Sequence, residues 1–217
     1  MLIVEKEPNS VVSESYKTLR TNIIFASIDK IIKRILITSS IQGEGKSTTA
    51  ANLALSFAQK EEKVLLIDCD LRKPTIHKKF KISNVRGLTD VLIDRNILDE
   101  AINKYSENLH ILTTGTKVVN HSEILSSLTL DSLLEELDKK YDRIIIDSPP
   151  VLAVTDAQVL SKKVDGTLLV ILSNKTKKNL VKNAKDLLTK VNANILGAIL
   201  NGEEINSKEY YNYYKNE

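Results

Sequence analysis

The sequence is poor in cysteine, proline and glycine and lacks tryptophan: its 217 residues include one cysteine, four prolines and seven glycines. The single cysteine, Cys69, excludes an intrachain disulfide and a cysteine-rich metal site, so we expect a reducing cytosol. No stretch approaches the ~18 consecutive apolar residues of a transmembrane helix. The N-terminus M-L-I-V-E-K-E-P also lacks the apolar run of a signal peptide. These absences predict a soluble, cytoplasmic protein.

The charge is nearly balanced, with 31 basic and 28 acidic residues and a formal net charge of +3. Such a mild excess does not indicate a nucleic-acid partner, which requires a clustered basic face. The lysine-rich stretches at 77–79 and 175–178 are short and are interpreted as solvated faces. A chain of this length with 42% hydrophobic residues buries a sizeable core and is most simply one domain.

Short runs of β-branched residues alternate with longer helical patterns. The runs are continuously apolar, as in parallel strands covered on both faces, and predict a doubly wound, mostly parallel α/β sheet with helices on both faces. The predicted strands are 34–39, 63–68, 109–113, 143–147, 166–172 and 194–201. The predicted helices between them are 46–60, 125–137, 156–163 and 177–191.

A further helix is predicted before the first strand, because Val12, Tyr16, Leu19 and Ile23 recur at helical spacing. Ser10 or Ser13 is available as its N-cap. The chain is thus expected to divide into a helical arm (1–33), an α/β core (34–205) and a flexible tyrosine-rich tail (206–217).

The strongest motif is S-S-I-Q-G-E-G-K-S-T-T, which leaves a predicted strand and enters a predicted helix. It matches the P-loop pattern G-x-x-x-x-G-K-[ST] except that Ser40 replaces the first glycine. Glycines let backbone N–H groups turn toward phosphate oxygens, and the helix N-terminus adds positive partial charge. Lys46 is expected to reach the β and γ phosphates, and Ser47 to ligate Mg²⁺. The predicted nucleotide-binding residues are Gly43, Glu44, Gly45, Lys46, Ser47 and Thr48, with Asn201 at the last strand end expected to touch the adenine.

Acidic residues end two other predicted strands, where open α/β sheets bind ligands. Asp147 in I-I-I-D-S-P-P is interpreted as a Walker B group for Mg²⁺. Asp68 and Asp70 in L-L-I-D-C-D-L-R-K-P are two residues apart, so on an extended chain their carboxylates point the same way. Such a pair can combine metal binding with proton abstraction. The predicted metal ligands are Ser47, Asp68 and Asp147, whereas a structural salt-bridge cluster is the alternative interpretation of the pair.

Three stretches together, G-E-G-K-S-T-T-A-A-N-L-A, L-L-I-D-C-D-L-R-K-P and I-I-I-D-S-P-P-V-L-A-V-T-D-A, resemble the bacterial tyrosine kinases of capsule and exopolysaccharide synthesis. The resemblance covers essentially the whole chain and implies a P-loop NTPase fold and a protein-tyrosine kinase that uses ATP and Mg²⁺. It assigns the catalytic roles to Lys46, Asp68, Asp70 and Asp147, without settling which aspartate of the pair is the base.

The tail contains four of the seven tyrosines, in a charged segment without apolar neighbours. A phosphoryl-transfer site needs an acceptor hydroxyl in line with the γ-phosphate, and an unstructured tyrosine can enter such a site. We therefore hypothesise autophosphorylation in trans. The expected acceptors are Tyr210, Tyr211, Tyr213 and Tyr214.

The resemblance also implies ring-like self-association through an N-terminal E-x-x-R-x-x-R helix, which here contains Glu14, Lys17 and Arg20. Lysine lacks the planar fork of arginine, which predicts a weaker or differently shaped contact. Two further departures are Gln42, where the family has proline, and the segment 115–125, which lacks three of the family's prolines and is expected to be looser.

The implied partners are a separate membrane adaptor, which activates the kinase at the inner face of the cell membrane, and a cognate phosphotyrosine phosphatase. The implied role is regulation of polysaccharide synthesis and export. The main alternative is a partitioning or site-selection ATPase, but that class carries an extra lysine early in the loop, where this chain has Ile41 and Gln42. A module that holds ATP without turnover also remains open.

Overall fold

The computed structural model describes residues 2–26 and 31–203. The predicted phosphoacceptors Tyr210, Tyr211, Tyr213 and Tyr214 lie outside the described residues, and the expectation of a flexible tail therefore stays a prediction.

The described strands form one seven-stranded sheet in the order β3-β4-β2-β5-β1-β6-β7. Neighbouring strands are parallel except for the antiparallel pair β3–β4 at one edge. The strands are β1 (Arg34–Ser39), β2 (Val64–Asp68), β3 (Ile102–Lys104), β4 (Leu109–Leu112), β5 (Arg143–Asp147), β6 (Gly166–Leu172) and β7 (Ile195–Asn201). The predicted doubly wound, mostly parallel fold is confirmed.

Helices cover both faces of this sheet. They are α1 (Ile3–Lys6), α2 (Val11–Phe25), α3 (Lys46–Ala58), α4 (Ile76–Phe80), α5 (Leu88–Ile93), α6 (Leu98–Ala101), α7 (His121–Ser126), α8 (Leu128–Asp138), α9 (Asp156–Ser161) and α10 (Lys178–Lys190). Within residues 2–26 and 31–203, none of them combines the length and the apolar character needed to cross a bilayer.

Alternate residues of each central strand enter opposite cores. In β1, Ile35 and Ile37 pack with α1 to α4, whereas Leu36 packs on the other face with α5 to α9. Helix α10 extends that second face over β6. Because both faces are buried, the central strands need apolar residues at every position, which is the pattern the sequence shows.

One predicted helix is wrong in its extent. The single helix expected over 125–137 is two helices, because Ser127 between them adopts an extended backbone (φ −63°, ψ 149°). The Ser127 hydroxyl accepts a hydrogen bond from the Leu130 amide at 3.2 Å and thereby caps α8. An N-cap serine satisfies an otherwise unpaired amide, so it begins a new helix rather than continuing the previous one.

The N-terminal helix has the predicted cap, since Ser10 accepts from the Ser13 amide. Two of its side chains depart from expectation: Val12 is 46% exposed, and Arg20 is only 7% exposed. The Arg20 guanidinium donates to the Ser56 carbonyl and, at 3.2 Å, to the Ser56 hydroxyl of α3. Lys17 pairs with Glu14 at 2.6 Å, while Arg20 binds within the fold because α3 offers it a carbonyl. The expected self-association through Glu14, Lys17 and Arg20 stays a prediction.

Candidate active site

The P-loop connects β1 to α3 through two glycines with left-handed backbone, Gly43 (φ +90°) and Gly45 (φ +93°). A Cβ at Gly45 would lie 2.1 Å from the Nδ2 atom of Asn201. That amide donates to the Glu44 carbonyl at 3.0 Å. The absence of a side chain at Gly45 therefore lets the end of β7 press against the loop.

Glu44 is 1% exposed and does not line the cavity beside the loop. Its carboxylate accepts from the Ile41 amide at 2.8 Å and from the Thr176 hydroxyl. The side chain thus closes the loop on itself and ties it to the turn after β6. The predicted part of Glu44 in nucleotide binding stays a prediction, and its side chain contacts the loop rather than the cavity.

A cavity of about 400 Å³ opens beside the P-loop, within the range of small-molecule sites. It lies outside the carboxyl ends of the parallel strands, as expected for an open α/β sheet. Its lining combines the loop, the segment after β2 and the segment after β5: Gln42, Gly43, Gly45, Lys46, Ser47, Thr48, Asp70, Arg72, Lys73, Thr75, Lys79, Pro149, Pro150, Ala153 and Val154.

Lys46 is held against two of the three predicted acids. Its Nζ atom lies 2.8 Å from Asp70 Oδ2 and 3.5 Å from Asp147 Oδ1, and donates to the Ser47 hydroxyl at 3.2 Å. Burial works against the charge of Lys46, but Asp147 and Asp70 together raise the pKa of its ammonium group. The lysine is therefore a firmly charged cation at the wall of the cavity.

Asp68 and Asp147 are paired in register at the ends of the adjacent strands β2 and β5, and both are fully buried. One Asp68 oxygen accepts from the Asp70 amide at 3.1 Å, and the other from the Thr75 and Ile76 amides at 3.1 and 3.0 Å. Burial, reinforced by the charge of Asp147, nevertheless raises the pKa of Asp68 to about 8. The carboxyl group is thus poised to hold a proton near neutral pH.

Asp70 follows the end of β2, so strand alternation does not govern its direction, and its contacts differ from those of Asp68. It binds Lys46 and accepts from the Lys73 amide at 3.0 Å. Of the three acids, Asp70 alone lines the cavity.

Asp147 has a buried oxygen, Oδ2, that meets no hydrogen-bond donor among the described residues. Burial raises the pKa of this carboxyl group, against the influence of Lys46. The Asp147 carboxyl group also interacts with the Ser47 side chain, and a buried, unpartnered oxygen on such a carboxylate fits a divalent cation. No three His, Cys, Asp or Glu groups of the described part of the chain form a ready ligand set. Mg²⁺ is usually held by one or two carboxylates together with phosphate oxygens and water.

A second polar cluster, which the sequence did not indicate, borders the cavity. Arg72 donates to the buried Asp156 carboxylate at 2.9 and 3.2 Å, and the Ser122 hydroxyl donates to the same group at 2.6 Å. Burial alone would raise the pKa of Asp156, but these hydrogen bonds lower it. The segment after β2 is thereby fastened to α7 and α9.

Another cavity of about 440 Å³ lies between α2 and the end of β7. Its lining includes Tyr16 of α2, Thr49 of α3 and Asn201. Asn201 also donates a hydrogen bond to the Glu44 carbonyl of the P-loop, so this cavity is adjacent to the P-loop.

The chain is similar to known proteins over most of its length. The AAA domain family matches residues 32–197. The tyrosine-protein kinase YwqD of Bacillus subtilis is 48% identical over 98% of this chain and 90% of its own length. The putative tyrosine-protein kinase CapB of Staphylococcus aureus is 41% identical over 100% of this chain and 95% of its own length. The crystal structure of the chimerical protein CapA2B2 superposes with a TM-score of 0.90, at 39% identity over 94% of this chain and 90% of that chain.

A plasmid partition protein from Borrelia burgdorferi also superposes, with a TM-score of 0.60 over 86% of this chain and 87% of its own, but at 23% identity. That likeness concerns the fold alone, whereas the similarity to the kinases extends over the full length of the chain. The protein therefore belongs to the bacterial tyrosine kinases of capsule and exopolysaccharide type and is a protein-tyrosine kinase.

Proposed function

We propose that this kinase transfers the γ-phosphoryl group of ATP, with Mg²⁺, to tyrosines of its own C-terminal tail in a neighbouring chain. The observation that carries the proposal is Lys46, held at the cavity wall by Asp70 and Asp147 beside a P-loop. A cation and acids at one sheet edge are what phosphoryl transfer requires, since the reaction depends on positioning and charge stabilisation.

In this proposal Lys46 leaves the two acids and binds the β and γ phosphates. Ser47 and Asp147 hold Mg²⁺, with Asp68 beside them at the end of β2. When bound, Mg²⁺ neutralises the charge that develops on the phosphate oxygens. The unpartnered Oδ2 atom of Asp147 supports this assignment.

The Asp68–Asp70 pair receives the proton of the acceptor tyrosine. Burial raises the pKa of Asp68 to about 8, and a base works best when its pKa lies near the working pH. Asp70 is the member that lines the cavity, so it contacts the incoming hydroxyl once Lys46 has moved to the phosphates.

The cavity between α2 and β7 is proposed to take the adenine. It is lined by Asn201, whose amide contacts the loop that would hold the phosphates. The cavity thus offers space for an adenine next to Asn201, as the expected contact between Asn201 and the base requires.

The phosphoacceptors are proposed to be the four tail tyrosines, reached in trans within a ring-like oligomer. Its contacts would use Glu14 and Lys17 on the exposed side of α2, whereas Arg20 would support that helix from within. Each phosphate adds about −1.5 to −2 charge, so crowded phosphorylated tails would repel one another and open the ring.

Activation by a membrane adaptor, recruitment to the inner face of the membrane, and reversal by a phosphatase complete the proposed regulation of polysaccharide synthesis and export. The likeness to the chimerical protein CapA2B2 supports the adaptor, since a chimera joins parts of two proteins in one chain.

The test is intact-mass analysis after incubation with Mg²⁺ and ATP, in the presence and absence of membrane-adaptor peptide. We expect mass increments of phosphate on the tail tyrosines, lost in Lys46→Met and in a chain ending at Ser207, which still binds ATP. A chain lacking the tail that gains the same phosphotyrosine would overturn the assignment of the acceptors.

A further inference from the structure

Lys79 of α4 extends into the nucleotide cavity from a part of the chain that no motif marks. Its Nζ atom donates to the Thr48 hydroxyl at 2.7 Å, and the side chain lines the cavity. Thr48 lies in the first turn of α3, directly after Ser47. The ammonium group therefore reaches the part of the P-loop where phosphate is expected.

Lys79 lines the cavity without an acidic partner, unlike Lys46 and Arg72; Lys73, the remaining cation of the lining, is exposed and donates to the Gln42 amide oxygen at 3.1 Å. Lys46 pairs with Asp70 and Asp147, and Arg72 pairs with Asp156. Within the described residues no carboxylate lies within salt-bridge distance of Lys79; its hydrogen bond goes to a neutral hydroxyl. A half-buried ammonium without an anion is costly, so such a position is favourable once an anion occupies the cavity.

The hydrogen bond to Thr48 also directs the threonine. Because its Oγ1 atom accepts from Lys79, the hydroxyl proton is available to donate to another acceptor. A phosphate oxygen facing both groups would receive a charge-assisted bond from the ammonium and a second bond from the hydroxyl. Linked donors of this kind strengthen one another in a poorly solvated site.

We propose that Lys79 is a second phosphate-binding lysine, which together with the Thr48 hydroxyl binds one phosphate of the nucleotide. The inference rests on the proposed function in requiring a nucleotide in this cavity. It adds a cation from α4, in the same chain, to the set supplied by the P-loop.

The test is equilibrium binding of ATP, ADP and adenosine to the full chain and to Lys79→Met, Lys79→Arg and Lys78→Met. Lys78 is the matched control because it is the exposed neighbour on the same helix. We expect Lys79→Met to bind ATP and ADP about tenfold more weakly, as for a lost charge-assisted bond. Adenosine binding should be unchanged, Lys79→Arg should keep most of the affinity, and Lys78→Met should bind like the unaltered chain.

Wild-type affinity for ATP in Lys79→Met would overturn the inference, as would an equal loss in Lys78→Met or an equal loss for adenosine. Circular dichroism and the thermal midpoint of each variant show whether it is folded, and Lys79→Gln, which also removes the charge and is expected to give the same loss, replaces the methionine variant if that variant is not folded. Phosphotyrosine formation by the unaltered chain is scored separately. If that chain binds ATP in a Lys79-dependent way without forming phosphotyrosine, the inference holds and the proposed kinase reaction of the tail fails. If it does not bind ATP, both fail.

Discussion

At the scale of single residues, Gly43 and Gly45 form a matched pair, since both have a left-handed backbone but only Gly45 faces another group closely. Gly43→Ala should lower the free energy of unfolding by about 1–2 kcal/mol, the cost of that backbone for an L-residue. Gly45→Ala should cost more, because its methyl group would also collide with the Asn201 amide. Urea denaturation of both variants measures the difference.

The double variant Gly45→Ala/Asn201→Ala provides the control, since it removes the colliding amide. It should recover the part of the loss that exceeds the backbone cost. If the two single glycine variants have the same free energy of unfolding, the close approach of β7 to the loop does not add to the cost of Gly45→Ala.

The raised pKa of Asp68, about 8, predicts a pH dependence of stability. Between pH 4 and 8 the unfolded chain has lost this proton while the folded chain retains it, so the folded state loses relative stability as pH rises through this range. The slope from this one group is at most about 1.4 kcal/mol per pH unit. Below pH 4 and above pH 8 the protonation is the same in both states, and the group adds no slope.

Asp68→Asn removes this ionisation. The free energy of unfolding of the nucleotide-free variant, minus that of the unaltered chain, should therefore increase between pH 5 and 8. Chemical denaturation at four pH values in this range measures it. Parallel curves for the two proteins would show that Asp68 is ionised in the folded state throughout.

At the scale of elements, the long strands and helices were predictable because each repeats one pattern over many residues. The bounds of β1, β5 and β6 agree with the sequence prediction, since buried parallel strands are uniformly apolar. The helices α4, α5 and α6 and the strand β3 have three to six residues each and are too short to display a period. Their positions follow from tertiary contacts, such as the pairing of β3 with β4.

The site likewise contains residues that a sequence pattern predicts and residues that only tertiary contacts place there. The P-loop and the three acids were recognisable because their residue types recur at fixed spacing. Lys79, Asp156 and Ser122 were not, because each reaches the cavity or its border through a contact distant in sequence, from Lys79 to Thr48 and from Asp156 to Arg72. The burial of Arg20 likewise depends on a carbonyl of α3, which no pattern within α2 could reveal.

The packing of α2 on α3 predicts unequal roles for the two cations of α2. Arg20→Ala should destabilise the protein by about 2 kcal/mol, because a buried charged donor loses its bonds to Ser56. Lys17→Ala should cost less than about 0.5 kcal/mol, since its pair with Glu14 is partly exposed. Thermal unfolding of both variants gives the comparison, and equal losses would contradict the inward role of Arg20.

At the scale of the whole molecule, the proposed reaction takes place between two chains. It therefore predicts that two variants, neither of which is phosphorylated alone, complement each other when mixed. A full-length Lys46→Met chain should be phosphorylated on its tail when mixed with a catalytically intact chain that ends at Ser207. Neither protein alone should gain phosphate. Mass spectrometry of the mixture distinguishes the chains by size. Labelling confined to unmixed wild-type protein would indicate transfer within one chain.

The contacts of Lys46 have a consequence for how this protein can change during evolution. In the resting protein the lysine is the cation bonded to Asp70 and Asp147, and loss of one member of a buried pair typically costs about 3–5 kcal/mol. Selection on folding alone would therefore preserve Lys46 as long as the acids remain. A descendant that no longer needed the reaction would keep the lysine, and would lose it readily only after neutral residues had replaced the acids.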